Sequence, residues 1–301
     1  MTGPRDCDKV AQSMASLPSA GAPLLEVRRL KVAYRNRGKG ELTAVSGVDF
    51  SIRQGEIVGV LGESGCGKTS IGMALLRCLP PAGHQTGKVL FQGSDLAAVS
   101  DREMRNIRGV QLSMIFQDPA LTLSPLMRVG DQIAEVLRAH RVLDRKQSQS
   151  VVHALLEDLE LGDLDRIYRS FPHQLSGGQC QRILIAQALV CKPALIIADE
   201  PTASLDARTA LEIIDLIRKI NQRDGIAFLF VSHDPAVLRA LAQTVIVMYA
   251  GRIVERGTAD QILTHPSHPY TRALLAARQG DVCESEFAPA DIFSTLSGPE
   301  A

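Results

Sequence analysis

The chain of 301 residues has no net charge to spare: Lys plus Arg number 33 and Asp plus Glu number 33, so the formal charge is zero with His neutral. A protein that coats nucleic acid by bulk charge needs a positive excess to displace counterions, and none exists here. There is also no long apolar run. A spanning helix needs ~20 mostly apolar residues. The best runs, Ala194 to Ala198, Ile226 to Val231 and Val245 to Ala250, are far shorter and have the length of buried strands. No Cys-x-x-Cys pair occurs among Cys7, Cys66, Cys78, Cys180, Cys191 and Cys283. A disulfide framework is therefore not expected, and a reduced, cytosolic compartment is the expectation. Internal repeats and low-complexity segments are absent too. Residues 1–23 lack the apolar centre of a signal peptide and are expected to be a flexible lead.

What is present is ordinary globular material, 45% hydrophobic and 22% charged. Leu25 to Tyr34 reads as a strand. Val48, Phe50 and Ile52 alternate with polar residues as a second one, joined through Arg35 to Glu41, so an antiparallel start is expected. From Glu56 onward the pattern changes to short apolar strands alternating with helices, which predicts a mostly parallel sheet with helices on both faces. The first helix, with apolar positions Ile71, Ala74, Leu75, Cys78 and Leu79, is expected to run to Pro80 and Pro81. Further strands are expected at Lys88 to Phe91 and Leu112 to Phe116. Pro119 to Pro172 shows only helical spacing, at Gly130 to His140 and Ser148 to Leu161, and predicts a helical insertion. Glu284 to Ala301 is expected to fray.

Gly62-Glu63-Ser64-Gly65-Cys66-Gly67-Lys68-Thr69, followed by Ser70, fits G-x-x-x-x-G-K-[ST] between a strand and a helix. Its glycines let successive N–H groups converge on one anion, and the helix start adds unpaired donors. Lys68 supplies positive charge for phosphates, and Thr69 a hydroxyl for Mg²⁺. Leu195 to Ala198 then ends in Asp199 and Glu200. Asp199 fits a metal role, and Glu200 the orienting and polarising of an attacking water. Leu175-Ser176-Gly177-Gly178-Gln179 combines capping-box spacing with two glycines at a helix start, a second phosphate-binding element.

With Asp199-Glu200-Pro201-Thr202 and Leu205-Asp206 following, these segments resemble the nucleotide-binding subunit of an ATP-binding cassette (ABC) transporter. The resemblance covers Leu25 to Ala276 and implies a P-loop NTPase fold: an α/β core, an antiparallel β subdomain at its start, and an inserted helical subdomain at about 119–180. The cassette itself would span 24–257, followed by an extension over 258–301. It further implies two such domains paired head to tail, with Ser176 and Gly178 of one meeting the γ-phosphate bound to the other. Gln117 matches the glutamine loop, sensing Mg²⁺ and the membrane partner. Asp206 matches the loop at the dimer interface, and His233 the γ-phosphate contact. Tyr34 stands where an aromatic often stacks on adenine. A half-buried strand tyrosine explains it equally well.

Met104 to Gly109, Met114 to Pro119, Pro172 to Gly178, Val247 to Glu255 and His268 to Leu275 resemble the oligopeptide, dipeptide and nickel importer branch. The implied activity is ATP hydrolysis coupled to uptake. The implied cofactors are ATP and Mg²⁺. The implied partners are a permease, a second cassette and, indirectly, an extracytoplasmic solute-binding protein, with no nucleic acid. The expected place is the cytoplasmic face of the cell membrane. Two departures stand out: Cys180 where an arginine is usual, and Ser124 where an asparagine is common. Only Cys283 remains of a cysteine-rich C-terminal motif, so no iron–sulfur cluster is expected. Pro266 and Pro269 also argue against a metal between His265 and His268. The competing readings are a cassette ATPase acting on DNA or ribosomes, and a P-loop kinase or GTPase, in which the Ser176 segment would have no task.

Overall fold

The structure, a computed structural model, describes residues 22–36, 40–141 and 143–279. Residues 1–21 of the expected lead, and the end from Glu284 that was expected to fray, lie outside the described residues. β1 (Leu25–Asn36) and β2 (Gly40–Ile52) pair antiparallel. β4 (Gly83–Phe91) and the short β5 (Ser94–Asp95) complete a sheet of order β2-β1-β4-β5. The second sheet contains β3 (Ile57–Leu61), β6 (Leu112–Ile115), β7 (Leu195–Asp199), β8 (Ala227–Ser232), β9 (Thr244–Tyr249) and β10 (Arg252–Thr258). Its order is β10-β9-β3-β8-β7-β6, parallel except for β10 on β9.

Every residue of β3, β7 and β8 is buried. That is why these strands read as unbroken apolar runs: a central parallel strand has no solvent face. Period two still sorts their side chains between two cores. Val58, Val60, Leu195, Ile197, Leu229 and Val231 face one side. That side is covered by the antiparallel sheet together with α1 (Lys68–Leu75) and α2 (Asp101–Ile107). Ile57, Leu61, Ile196, Ala198, Phe228 and Phe230 face the other side. Helices alone cover it, so one face is helical and the other is shared between helix and sheet.

The insertion after β6 is helical: α3 (Pro119–Thr122), α4 (Val129–His140), α5 (Arg145–Asp158) and α6 (Leu164–Arg169) lead to α7 (Gly177–Leu189). α4 buries Ile133, Ala134 and Leu137 on one stripe. α8 (Ala207–Asp224) ends on Gly225 at φ 65°, a left-handed cap that glycine adopts without steric cost. α9 (Pro235–Leu241), α10 (Ala259–Thr264) and α11 (Pro269–Gln279) follow.

Three expectations change. α1 ends at Leu75, well before Pro80. Arg77 takes φ 51°, its N–H bonds the Ala74 carbonyl, and the Cys78 N–H bonds the Met73 carbonyl. This paired closure satisfies the orphan carbonyls without a proline. The Arg77 guanidinium then holds the Leu96 and Val99 carbonyls. β4 begins at Gly83, five residues before the Lys88 start, because its first half pairs with β1 as far as Tyr34. β10, anticipated only as a family-like segment, adds an antiparallel edge.

Candidate functional site

The carboxyl ends of β3, β6, β7 and β8 lie along one edge of the parallel sheet, where open α/β sheets bind ligands. β3 runs into Gly62, β6 precedes Gln117, β7 ends at Asp199 and Glu200, and β8 precedes His233. Strand order thus gathers residues that are up to 171 positions apart in the chain, from Gly62 to His233.

The loop after β3 has no room for side chains at two of its glycines. A Cβ on Gly67 (φ 105°) would run into the Ala44 carbonyl, and one on Gly62 would sit 2.5 Å from the Met248 carbonyl and 2.7 Å from the Cys66 Sγ. Gly67 precedes α1 with no side-chain cap, so the first amides of that helix are left for an anion. Lys68 is buried. Its Nζ donates to the carbonyls of Gly62 (2.8 Å) and Glu63 (2.7 Å), folded back on its own loop. Cys66 is buried beside it, and burial pushes the thiol pKa up, which fits a packing role with no redox duty. The Tyr34 hydroxyl donates to Ser70 Oγ at 3.0 Å, so its half-buried ring stands next to the first turn of α1.

Glu200 is the hub. Its Oε2 accepts from His233 Nδ1 (2.9 Å) and, at the limit of bonding distance, from Gln117 Nε2 (3.5 Å). Its Oε1 lies 4.0 Å from Lys68 Nζ. A carboxylate can only accept, so the His233 proton sits on Nδ1 and leaves Nε2 free. Glu200 holds φ 46°, a left-handed backbone that costs a non-glycine residue about 1–2 kcal/mol. Its N–H bonds the Val231 carbonyl of β8, which fixes that turn. Such strain persists where surrounding bonds over-determine it, commonly at functional sites.

Asp199 is buried, 4% exposed, with the Thr69 hydroxyl near it. Burial raises its pKa above the ordinary 3.8; the Thr69 hydroxyl opposes this, the Glu200 charge adds to it and Lys68 opposes it. A buried carboxylate beside a hydroxyl is a hard-oxygen donor pair suited to Mg²⁺, whose charge would restore the anionic form.

Ser176, Gly178 and Asp206 form a second group. Ser176 Oγ accepts from the Gln179 N–H (3.3 Å), and the Gln179 side chain accepts from the Ser176 N–H (3.0 Å), the expected capping box. Asp206 accepts from the amides of Arg208 (3.1 Å) and Thr209 (3.0 Å) and from the Thr209 hydroxyl (2.7 Å). These bonds hold its carboxyl below the usual range. A Cβ on Gly178 would stand 2.6 Å from Thr209 Cγ2, so only glycine lets α7 and α8 approach this closely. Among the described residues, no hydrogen bond joins this group to Gly62–Ser70.

The two departures have local partners. Cys180 is buried with its thiol on the Pro172 carbonyl at 3.4 Å. Ser124 uses only its backbone: buried Gln132 bonds its N–H (2.9 Å) and carbonyl (3.0 Å), and also the Met127 carbonyl (3.0 Å). Sequence reasoning missed Gln132 and Thr209, because neither lies in a phosphate or metal motif. Between the insertion and the core runs an apolar groove of about 240 Å³, lined by Leu76, Cys78, Met114, Phe116, Val136 and Leu184 among others. Phe116 is 41% exposed, and Leu121 and Leu126 are 86% and 87% exposed. Among the described residues, no helix is long and apolar enough to cross a membrane.

Residues 45–203 match the protein family described as ABC transporter. The sequence is 43% identical to the probable peptide ABC transporter ATP-binding protein y4tR of Sinorhizobium fredii, over 87% of this chain and 78% of that one. It is 38% identical to the dipeptide transport ATP-binding protein DppD of Bacillus subtilis, over 91% and 84%. The fold is similar to the dimeric post-hydrolysis structure of the ATP-binding cassette MJ0796 bound to ADP and Pi. That likeness has a TM-score of 0.69 at 27% identity and covers 78% of this chain and 98% of that one.

Proposed function

The chain belongs to the ABC transporter family, and from that premise we propose that it is the ATP-hydrolysing subunit of an importer whose solute is a peptide. Of the solutes the sequence left open (peptides, nickel or a related small molecule), peptides are favoured by relatives named for peptide, dipeptide and oligopeptide transport. One observation carries the chemistry: Glu200, with His233, Gln117 and Lys68 around it, stands at the strand ends beside an anion-binding loop.

In this reading the amides of Gly65 to Thr69 take the phosphates, and Lys68 leaves the Gly62 and Glu63 carbonyls to neutralise them. Glu200 accepts the proton of a water as its oxygen attacks the γ-phosphorus, and ADP departs. His233 holds Glu200 through Nδ1 and offers Nε2 to the γ-phosphate. Thr69, Asp199 and Gln117 would hold Mg²⁺, which supplies Lewis-acid charge at the phosphates. Tyr34 stacks on adenine, its ring steadied through Ser70. Ser176, Gly178 and Asp206 serve the ATP of a second cassette, because their own α7 start faces no phosphate loop of this chain. The groove lined by Phe116, together with the exposed Leu121 and Leu126 of the insertion, receives a cytoplasmic helix of a permease, and the subunit sits peripherally at the inner face of the membrane. An extracytoplasmic binding protein delivers the solute to that permease and touches this chain only through it.

Reconstitution with the permease subunits of a peptide importer tests the reading. Peptide uptake driven by ATP is expected, and Leu126→Asp is expected to abolish uptake while leaving the basal ATPase of the free subunit unchanged. Uptake that survives Leu126→Asp contradicts the assignment of this exposed surface to the permease.

A further inference from the structure

His268-Pro269-Tyr270-Thr271 lies about 200 residues beyond the phosphate loop in sequence, and nothing in the chemistry above uses it. Its surroundings are specific. The Glu255 carboxylate of β10 accepts from the amides of Ser267 (2.6 Å) and His268 (3.2 Å), pinning the turn that enters α11. Tyr270, in the first turn of α11, is 3% exposed, and its ring packs on Tyr249 with centroids 4.3 Å apart. Tyr249 ends β9, directly after Met248, whose carbonyl closes off Gly62. Gly251, two residues on, donates its N–H to the Cys66 carbonyl at 3.1 Å. The phosphate loop is thus backed by the β9–β10 hairpin, and α11 backs that hairpin.

The Tyr270 hydroxyl is buried and, among the described residues, has no hydrogen-bond partner. The Glu63 backbone and Cys66 stand near it, the Glu63 N–H outside bonding geometry. A buried hydroxyl without a partner is costly, and tyrosine is a poor choice over phenylalanine unless the hydroxyl has a task in another state. Lys68 supplies the occasion. It now holds the Gly62 and Glu63 carbonyls, and it must release both to reach a phosphate. The Gly62 and Glu63 carbonyls then lose the Lys68 ammonium, Glu63 keeping only a long bond from the Cys66 N–H (3.4 Å), and the Tyr270 hydroxyl is a polar group near Glu63, able to donate to a carbonyl and accept from an amide.

We infer that Tyr270 is a positioning residue for ATP: its hydroxyl takes over the Glu63 backbone when Lys68 turns to the phosphates, so that the C-terminal segment stabilises the nucleotide-loaded loop. This rests on the ATPase reading above. It differs from a packing role in one measurable respect, since the bond exists only in the loaded state.

The test is Tyr270→Phe in the full chain, a change that keeps the ring on Tyr249. ATP affinity is expected to fall three- to tenfold by equilibrium titration, while the nucleotide-free melting temperature holds or rises. Amide exchange in the peptide spanning residues 57–68 is expected to quicken only with ATP bound. An unchanged affinity, or affinity and nucleotide-free stability falling together, overturns the inference. Wild-type protein that binds no ATP overturns the reading beneath it; wild-type protein that binds, with Tyr270→Phe equal to it, overturns this inference alone.

Discussion

Glu200→Gln separates what Glu200 does to water from what it does to Lys68. The amide keeps the size of the side chain and an acceptor for His233, but removes the charge. Two unit charges 4.0 Å apart attract by ~4 kcal/mol at an effective dielectric constant of about 20. Lys68 and Glu200 are both shielded, at 5% and 14% side-chain exposure, so bulk solvent screens them little. In the wild type that attraction helps hold Lys68 on the loop, and the Glu200 charge also repels an incoming γ-phosphate. If Lys68 loses only about 1.4 kcal/mol of it on moving to the phosphates, removing the charge tightens ATP binding about tenfold. Turnover moves the other way, because losing a positioned general base costs about 10²- to 10⁴-fold. Phosphate release under saturating ATP and a direct binding titration read the two effects separately. Turnover within threefold of wild type, or weaker ATP binding, would refute the reasoning.

Asp199→Asn tests the buried carboxylate. Because burial raises the folded-state pKa above 3.8, the folded state holds the proton more tightly than the unfolded chain does. That contribution favours the fold below the unfolded value and is lost as pH rises through the folded pKa. The nucleotide-free variant is therefore expected to melt above wild type at pH 7, with the gap closing toward pH 4, and to bind Mg²⁺–ATP more weakly; a gap that does not narrow on acidification contradicts this. Ser176→Ala removes a helix cap and is expected to cost ~1 kcal/mol in denaturant unfolding. Ser176→Asp keeps the cap, and is expected to hold stability while losing ATPase through repulsion of the partner's γ-phosphate; retained ATPase would contradict it. Gly178→Val forces a side chain onto Thr209 and is expected to cost about 1–3 kcal/mol, read as a lower melting temperature.

The central strands were legible because burial on both faces writes them as Leu195 to Ala198 and Ile226 to Val231. The phosphate loop was legible because close approach to the Ala44 and Met248 carbonyls admits only glycine at Gly67 and Gly62. The convergence of Gln117, Glu200 and His233 followed from their places after strands, once the parallel order was known. Other features had no local signal. The stop at Leu75 depends on Arg77 taking a left-handed turn that three long-range carbonyl contacts make worthwhile, those of Leu96, Val99 and, through Arg108, Arg77 itself. β10 is half exposed and weakly alternating, so its sequence looks like a loop. The left-handed backbone of Glu200 is imposed by its bond to β8, and a glutamate at that position says nothing of it. Tyr270 stood inside a quoted segment, but its neighbours come from three other parts of the chain.

The central claim is that one chain holds half of each of two ATP sites, Gly62–Ser70 in one place and Ser176, Gly178 and Asp206 in another. Sedimentation velocity of Glu200→Gln with and without ATP tests it most directly. The account predicts a monomer without nucleotide, a dimer with ATP, and no dimer when Ser176→Asp is added. A protein that binds ATP and stays monomeric, or dimerises equally well with Ser176→Asp, contradicts it.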